Sequence, residues 1–264
     1  MIIPFNRSLH FSIFVKFLEI PTMRKILVIG AGRSASSLIK YLLEKSESEN
    51  LLVTIADLSE DLAKQKTNGH KNARPIAFDI FNEVQRHEEI QNADIVVSML
   101  PAHMHVDVAK DCVEYGKHMV TASYISKGMQ DLDETAKQKG VILMNEIGLD
   151  PGIDHMSAMK VLDEIRAKGG NIILFESFCG GLVAPESDSN LWNYKFTWNP
   201  RNVVLAGQGG AAKFIQEGTY KYIPYNKLFR RTEFLEVENY GRFEAYANRD
   251  SLKYRSVYGL DNAL

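Results

Sequence analysis

An apolar segment that ends in a glycine-rich turn constrains the fold of this chain more than any other feature. Residues 26–29 are all apolar, and the run Gly30-Ala31-Gly32-Arg33-Ser34-Ala35 follows them directly. Apolar residues at helical spacing over residues 36–45 and a second apolar run at residues 51–56 complete a strand–helix–strand unit. In that context, G-x-G-x-x-A is typical of a dinucleotide-binding turn. The sequence therefore predicts a Rossmann cofactor domain.

The turn itself is predicted to hold a pyrophosphate. Its first glycine makes the tight bend, its second lets the backbone approach the ligand, and its small last residue lets helix and strand pack closely. The helix N-terminus adds unpaired N–H groups and the positive end of the helix dipole. We predict cofactor contacts at five positions of the turn: Gly30, Gly32, Arg33, Ser34 and Ala35.

Asp57 follows the second predicted strand at the distance where Rossmann domains carry an acidic residue. Its carboxylate is expected to accept hydrogen bonds from ribose hydroxyls and to repel a 2′-phosphate, which favours NAD over NADP. Arg33 next to the turn offsets part of that repulsion, so NADP stays open. The alternative is that Asp57 only caps a helix that starts at Leu58.

Strands and helices alternate up to about residue 150. Further strands are predicted at residues 75–77, 94–100, 118–121 and 141–144, and helices at residues 58–66, 82–91, 105–115 and 132–139. This alternation predicts an α/β fold with a doubly wound parallel sheet. A helix at residues 156–167 and a stretch rich in Gly, Asn and aromatic residues break the pattern. We therefore predict a Rossmann domain over residues 23–150 and a second, α+β substrate domain over residues 151–264.

Residues 1–22 are interpreted as an N-terminal extension. Their apolar run is interrupted by Lys16 and Glu19 and is too short to span a bilayer. A signal or transit peptide is the alternative, although no small-residue cleavage pattern follows. Met23 stands directly before the first strand, so the native start is expected there and the extension is expected to have no function.

Charge and cysteine content exclude several classes of partner. The chain has 31 Lys and Arg against 33 Asp and Glu, so no basic field is available for nucleic acid or an anionic membrane. Its two cysteines, Cys112 and Cys179, argue against a disulfide framework, leave a cysteine-based metal site unsupported and fit a reducing cytosol. We expect a cytoplasmic protein that binds a small molecule and no metal.

Two polar segments at strand ends are predicted to face the cofactor. Residues 98–101 and 121–124 end buried strands, and ligands of open α/β sheets bind at this edge. Nicotinamide and substrate should therefore meet there. The cofactor contacts predicted at these positions are Ser98, Leu100, Pro101 and Ser123.

A third polar segment, residues 145–155, follows the last strand of the first domain. It combines three carboxylates, a histidine, two glycines and a proline. Solvated loops rarely carry that mixture directly after a buried strand, so we predict a functional role for Asp150. For Asp154 and His155 the alternative stays open that the first caps the next helix and the second only packs.

Several long motifs in one order carry a family resemblance. They are residues 121–126 (TASYIS), 145–156 (NEIGLDPGIDHM), 179–182 (CGGL) with 184–186 (APE), 194–198 (YKFTW) and 248–251 (NRDS). Over residues 24–259 the chain resembles saccharopine dehydrogenase of the L-glutamate-forming kind, also called saccharopine reductase. The resemblance implies an oxidoreductase that uses NAD(P) to interconvert saccharopine with glutamate and 2-aminoadipate 6-semialdehyde in lysine metabolism.

The resemblance also implies which residues contact the substrate, between the Rossmann domain and the second domain. Arg249 can clamp a carboxylate, and Asp150 can pair with the secondary ammonium. Asp150, Tyr124 and His155 are acid–base candidates, of which Asp150 and Tyr124 are taken as catalytic, whereas hydride transfer needs no nucleophilic Cys179. The implied substrate contacts are Ser123, Tyr124, Asp150, Cys179, Gly180, Trp198 and Arg249.

The chain also departs from the family pattern. Ala247 stands where the family usually has Pro, and Lys127-Gly128 replaces a Pro-Ala pair. The family continues past the equivalent of Tyr258, so the substrate domain is expected to be C-terminally truncated, which can leave such a chain poorly stable or inactive. A carboxynorspermidine-type dehydrogenase and a non-catalytic NAD-binding fragment are the alternative functions. The oligomeric state is open, with a homodimer as one option.

Overall fold

The computed structural model describes residues 23–197, 199–206 and 210–263. The predicted extension, residues 1–22, lies outside these ranges. Strands and helices alternate in the first part of the chain. The strands are β1 (Arg24–Ile29), β2 (Leu51–Asp57), β3 (Ala73–Ala77), β4 (Ile95–Ser98), β5 (His118–Thr121) and β6 (Leu143–Met144). The helices are α1 (Ser36–Lys45), α2 (Glu60–Thr67), α3 (Glu83–Gln91), α4 (His105–Glu114), α5 (Lys127–Gln130), α6 (Asp133–Gln138) and α7 (Ile153–Ala167).

These six strands form one parallel sheet in the order β3-β2-β1-β4-β5-β6. In its centre, Val28 of β1 pairs with Ile55 of β2 on one side and with Val97 of β4 on the other. The chain runs outward from β1 to β3 and then returns to β4, so the strand order reverses between β1 and β4. Ligands of such sheets bind at the carboxyl ends of the strands beside this reversal. The predicted doubly wound Rossmann sheet is confirmed.

Helices cover both faces of the sheet, which explains the unbroken apolar run of β1. Leu27 and Ile29 belong to the core beneath α3 and α4, whereas Val28 belongs to the core beneath α1 and α2. Successive strand residues point to opposite faces, so a strand covered on both sides must be apolar throughout. Each of these side chains is at most 1% exposed, and such burial stabilises the fold by about 1.5–3 kcal/mol per side chain.

Some element boundaries differ from the predicted ones for local reasons. Helix α2 begins at Glu60 rather than near residue 58, because the Ser59 side chain accepts a hydrogen bond from the Leu62 N–H at 3.3 Å. Helix α7 begins at Ile153 rather than at Met156, because the Met156 N–H already donates a helical hydrogen bond to the Gly152 carbonyl at 3.0 Å. The strand predicted at residues 141–144 shrinks to β6, which pairs only with β5 at the edge of the sheet.

Antiparallel pairing replaces parallel pairing beyond α7. Two hairpins form: Ala212–Gln216 (β7) pairs with Thr219–Ile223 (β8), and Thr232–Val237 (β9) pairs with Gly241–Tyr246 (β10). Residues 170–184 are neither helical nor part of a strand. Helix α8 (Pro200–Ala206) precedes β7. This second unit is of the predicted α+β kind; the domain boundary near Asp150 stays a prediction.

The C-terminal segment returns to helix α7. Leu162, which is 2% exposed, packs with Tyr258 and Leu260, and Arg166 Nη2 donates a hydrogen bond to the Tyr258 carbonyl at 2.5 Å. These contacts place residues 254–260 beside α7, and the hydrogen bond from Tyr254 Oη to Glu146 Oε1 at 2.9 Å extends the contact to the loop that precedes α7. Over the described ranges, no helix has both the length and the apolar character that a membrane span requires.

A buried ion pair between α3 and α4 gives a testable stability prediction. Arg86 Nε donates to Asp111 Oδ2 at 2.5 Å, and the two side chains are 9% and 8% exposed. We expect Asp111→Ala to lower the free energy of unfolding by about 3–5 kcal/mol, because it leaves a buried guanidinium without its counter-charge. Urea denaturation measures this change. Lys110→Ala, on the exposed face of α4, is the control and should change it by about 0.5 kcal/mol or less; equal losses would contradict the prediction.

Candidate active site

The glycine-rich turn after β1 has the geometry of a ligand cradle. Gly30 adopts a φ of +103°, and a Cβ atom added there would lie 3.0 Å from the Met99 carbonyl oxygen. A Cβ added at Gly32 would meet no atom within 4 Å, so open space faces this backbone. Both features fit close approach of a pyrophosphate.

The other predicted residues of the turn divide into two groups. Arg33 and Ser34 are exposed beside Gly32 and stay predicted cofactor contacts. Ala35 is 0% exposed and packs into the core beneath α1 and α2. The prediction that Ala35 contacts the cofactor directly is therefore corrected. Its small side chain instead lets the helix approach the sheet.

Asp57 is tied to the backbone around the turn. Its Oδ2 accepts a hydrogen bond from the Ala31 N–H at 2.7 Å, and its Oδ1 accepts one from the Ser59 N–H at 3.0 Å. It thus braces the glycine turn against the loop after β2, while Ser59 caps helix α2. The alternative that Asp57 itself caps a helix from Leu58 is wrong.

The carboxyl ends of β4 and β5 meet around a buried histidine that sequence reasoning did not single out. His105 Nδ1 lies 2.8 Å from Ser98 Oγ, and its Nε2 lies 2.7 Å from Ser123 Oγ and 3.3 Å from Thr121 Oγ1. His105 is 3% exposed. Burial, together with the charge of His103, lowers the pKa of His105 to about 4, so its imidazole is neutral at neutral pH.

This network changes the role of one predicted cofactor residue. Ser98 is 0% exposed and its hydroxyl is turned inward onto His105. A direct contact between Ser98 and the cofactor is therefore corrected to an indirect one. After β4, Leu100 packs partly into the core and Pro101 is exposed; their cofactor contacts stay predictions.

A tight loop of residues 148–152 follows β6. The Gly148 N–H donates to the Pro151 carbonyl at 2.8 Å, and the Ile153 N–H donates to the Gly148 carbonyl at 3.0 Å. Gly148 also lies against Ala122, where an added Cβ would be 2.9 Å from the alanine Cβ. The loop is thereby held against the turn after β5.

That packing brings three predicted substrate residues together. Tyr124 Oη donates a hydrogen bond to Asp150 Oδ1 at 2.7 Å. The Cys179 thiol lies near enough to the Asp150 carboxylate for this charge to raise the thiol pKa. Partial burial and Asp150 raise the pKa of Tyr124 above its usual value. The same two causes raise the pKa of Cys179 to about 11. Asp150 therefore lies beside a phenol and a thiol that both stay protonated at neutral pH.

The side chains of Asp154 and His155 make contacts within the fold. Asp154 Oδ1 accepts a hydrogen bond from the Gly152 N–H at 2.7 Å in the first turn of α7. The His155 ring lies 4.3 Å from the Tyr254 ring, and its Nδ1 is hydrogen-bonded to Tyr258 Oη. Its buried Nε2 has no hydrogen-bond partner among the described residues, although Glu146 Oε2 lies 3.9 Å away. These contacts favour the packing alternative for His155. Asp154 lies inside α7, whose N-cap is Gly152, so the capping alternative for Asp154 is wrong.

Glu146 joins this loop to the C-terminal segment, and sequence reasoning missed it as a site residue. Its Oε1 accepts hydrogen bonds from the Ile125 N–H at 3.0 Å and from Tyr254 Oη at 2.9 Å. Lys253 Nζ lies 4.7 Å from the centre of the Tyr124 ring, which adds a cation beside the Tyr124–Asp150 pair. No local pattern could have shown these contacts, because 108 residues separate Tyr254 from Glu146.

The remaining predicted substrate residues lie on other segments. Gly180 is exposed next to Cys179, where an added Cβ would lie 3.4 Å from Leu182. The Arg249 carbonyl accepts a hydrogen bond from the Lys213 N–H at 3.0 Å and so anchors the C-terminal segment to β7. Trp198 lies outside the described residues. The part of the chain that is described holds no cluster of His, Cys, Asp or Glu arranged to bind a metal ion.

Thiol alkylation tests the contact between Cys179 and Asp150. With its pKa raised to about 11, Cys179 should react with iodoacetamide near neutral pH at least about tenfold more slowly than a free cysteine. Asp150→Asn removes the negative charge that raises this pKa, so the thiolate fraction and the rate should rise. Mass spectrometry of the Cys179 peptide measures the rate, with Asp107→Asn as the exposed control. An unchanged rate in Asp150→Asn would contradict the contact.

Comparisons with known proteins bear on the family of this chain. The family model for the saccharopine dehydrogenase NADP binding domain matches residues 26–144, and that for the saccharopine dehydrogenase C-terminal domain matches residues 148–264. The chain is 36% identical to saccharopine dehydrogenase (NADP(+), L-glutamate-forming) of Pyricularia oryzae, over 91% of this chain and 52% of the relative. It is 37% identical to the Schizosaccharomyces pombe protein of the same name, over 91% and 53%.

A solved structure is similar as well. Apo saccharopine dehydrogenase (L-Glu forming) from Saccharomyces cerevisiae superposes with a TM-score of 0.83 at 31% identity, covering 91% of this chain and 53% of that chain. The chain thus spans about half the length of these relatives. Two consecutive matches to the domains of one family, in the predicted order and on the predicted fold, show that this chain belongs to the saccharopine dehydrogenase family.

Proposed function

We propose that the chain carries the cofactor site and part of the substrate site of an enzyme that interconverts saccharopine with glutamate and 2-aminoadipate 6-semialdehyde. The observation that carries this proposal is the hydrogen bond from Tyr124 Oη to Asp150 Oδ1 at 2.7 Å. It joins two of the implied substrate residues at the carboxyl edge of the sheet, where ligands of this fold bind. The names of the relatives in the two yeasts and in Pyricularia support the substrate.

Oxidation of saccharopine requires removal of a hydride and a proton, followed by addition of water. A nicotinamide cofactor held by the turn at Gly30 and Gly32 would supply the acceptor for the hydride that leaves the carbon bearing the secondary nitrogen. The carboxylate of Asp150 pairs with the substrate ammonium and accepts its proton, so that the nitrogen lone pair can assist hydride loss. The complete reaction consumes one water and releases glutamate, the semialdehyde, the reduced cofactor and a proton.

Tyr124 and Cys179 assist Asp150 rather than replace it. Because the pKa of Tyr124 is raised, its phenol stays protonated at neutral pH and donates to Asp150, which orients the carboxylate. The Cys179 thiol, with a pKa of about 11, also stays protonated and does not act as a nucleophile. Among the candidates for the base, Asp150 is therefore the one we assign.

We further propose NADP as the preferred cofactor. The prediction of NAD rested on Asp57 as a ribose acceptor, but each of its carboxylate oxygens already accepts a backbone N–H, from Ala31 and from Ser59. Arg33 is exposed beside the turn and offers a cation to a 2′-phosphate. The relatives named for NADP(+) and the description of the matching cofactor domain support the same choice. The ratio of kcat/KM for NADP to that for NAD measures this preference.

The activity is tested by adding saccharopine and oxidised nucleotide to the purified chain and following formation of the reduced nicotinamide. Formation of reduced cofactor and glutamate in equal amounts is the expected result. Turnover with carboxynorspermidine but not saccharopine would support the alternative dehydrogenase. Nucleotide binding without any turnover would support the non-catalytic alternative, and failure to bind either nucleotide would remove the dehydrogenase proposal.

We also propose a cytoplasmic location, with which the free thiols of Cys112 and Cys179 agree.

A further inference from the structure

We propose that His105 is a positioning residue that, together with Ser98, holds the Ser123 hydroxyl as a hydrogen-bond donor to a carboxylate of the amino-acid substrate. This inference deepens the proposed function and rests on it. His105 begins helix α4, and its ring lies between the carboxyl ends of β4 and β5, which Ser98 and Thr121 close side by side in the sheet. It thus links the strand ends to Ser123 on the substrate side.

The burial of Ser98 determines where the imidazole proton is. Ser98 is 0% exposed, and among the described residues its hydroxyl has one hydrogen-bond partner, His105 Nδ1 at 2.8 Å. If Nδ1 carried the proton, the Ser98 O–H would be a buried donor without an acceptor, which is costly. The Ser98 O–H therefore donates to Nδ1. A neutral imidazole has one donor and one acceptor nitrogen, so Nε2 carries the proton.

The position of this proton then sets the state of Ser123. His105 Nε2–H donates to Ser123 Oγ at 2.7 Å, with Thr121 Oγ1 farther away at 3.3 Å. Since Ser123 Oγ already accepts this bond, its own proton is not needed by His105 and is free to be donated outward. Ser123 is only partly buried and precedes Tyr124, which contacts Asp150. A substrate carboxylate is the acceptor that such a donor recognises beside an ammonium-binding Asp150.

His105 does not itself take part in proton transfer. It is 3% exposed, and burial keeps its imidazole neutral, with a pKa of about 4. A residue that cannot reach the substrate and does not titrate near neutral pH acts through its neighbours. Its effect should therefore appear in substrate binding through Ser123.

Nitrogen-15 NMR of the full chain, labelled at histidine, tests the proton position directly. We expect His105 to show a protonated Nε2 and an unprotonated Nδ1 near neutral pH, in the absence of any ligand. In Ser98→Ala the donor to Nδ1 is lost, so the two tautomers should mix. A protonated Nδ1 in the wild-type chain would overturn the positioning role even if the chain is active.

Kinetics test the ligand of Ser123. Ser123→Ala should raise the KM for saccharopine about tenfold or more, because a hydrogen bond to a charged group is lost. Ser98→Ala should raise it in the same direction, and adding Ser98→Ala to Ser123→Ala should cause little further change, because both act through one hydroxyl. Because this proposal assigns the Ser123 hydroxyl to the substrate instead of to the cofactor contact predicted from the sequence, the Kd for NADP should stay the same in each variant. Ser46→Ala, which removes another fully buried serine hydroxyl, is the control and should leave KM unchanged.

Failure of this inference can be distinguished from failure of the proposed function. A change in the Kd for NADP with no change in the KM for saccharopine would show that Ser123 donates to the cofactor, and would overturn its assignment to the substrate. Additive effects of Ser98→Ala and Ser123→Ala would overturn the link through His105. A chain with the expected tautomer that does not bind saccharopine at all would remove the proposed function, and the ligand assigned to Ser123 with it.

Discussion

Asp150→Asn is expected to lower kcat/KM for saccharopine by about 10²–10⁴-fold, the range that a general acid or base contributes. The substitution removes the charge that pairs with the ammonium and the group that accepts its proton. The fold should survive, because Tyr124 Oη can still donate its hydrogen bond, 2.7 Å long in the wild type, to the asparagine oxygen. Steady-state kinetics measure the loss, and thermal unfolding and NADP binding should be nearly unchanged.

Asp154→Asn is the matched control for this prediction. Asp154 lies on the same loop, but its Oδ1 accepts a hydrogen bond from the Gly152 N–H, which an asparagine oxygen also accepts. We therefore expect kcat/KM to fall by less than about tenfold in this variant. Comparable losses in both variants would show that the total negative charge of the loop matters and not the position of Asp150, and would remove the special role of Asp150.

Gly152→Ala is expected to destroy the loop that places Asp150. The φ of Gly152 is +151°, and an added Cβ would lie 2.1 Å from the Gly148 carbonyl oxygen, so the backbone must move. Strain and overpacking together should lower the free energy of unfolding by about 2–4 kcal/mol. The KM for saccharopine should rise with it, whereas the glycine turn at residues 30–35, on another loop, should still bind NADP.

Gly169→Ala is the control for glycine conformation alone. Gly169 also has a positive φ, +77°, but an added Cβ would meet no atom within 4 Å. Only the conformational cost should remain, about 1 kcal/mol, with KM unchanged. Denaturant unfolding and kinetics on both variants separate the two causes. If Gly152→Ala lost no more stability than Gly169→Ala, the close approach of Gly148 and Gly152 would be contradicted.

The charges around Asp150 suit a cationic substrate. Glu146, Asp150 and Asp154 all act to raise the pKa of Tyr124, so the three carboxylates share one region. A cation beside them is Lys253, whose Nζ lies 3.9 Å from Glu146 Oε1 and donates to Tyr254 Oη at 3.0 Å. The region therefore holds more negative than positive groups, which favours a substrate ammonium over an anion at this point.

Local sequence patterns determined the cofactor half of this protein. The apolar run of β1 and the glycines after it predicted the turn, because burial on both faces and a φ of +103° at Gly30 each restrict the residue type at that position. The spacing of apolar residues likewise predicted the doubly wound sheet. The motifs at residues 145–156 and 179–182 pointed to Asp150 and Cys179, although no spacing argument could have supplied the substrate.

Only the tertiary structure decided which side chains meet. In-register pairing of Ser98 with Thr121 sets two strand ends side by side, and His105 fills the space beyond them. Asp57 turned out to brace the Ala31 backbone, because the adjacent strands β1 and β2 end together. Contacts of this kind depend on the register of parallel strands and on the return of distant segments. The periodicity of a sequence records which face a residue buries, but it carries no information on which remote atom lies opposite.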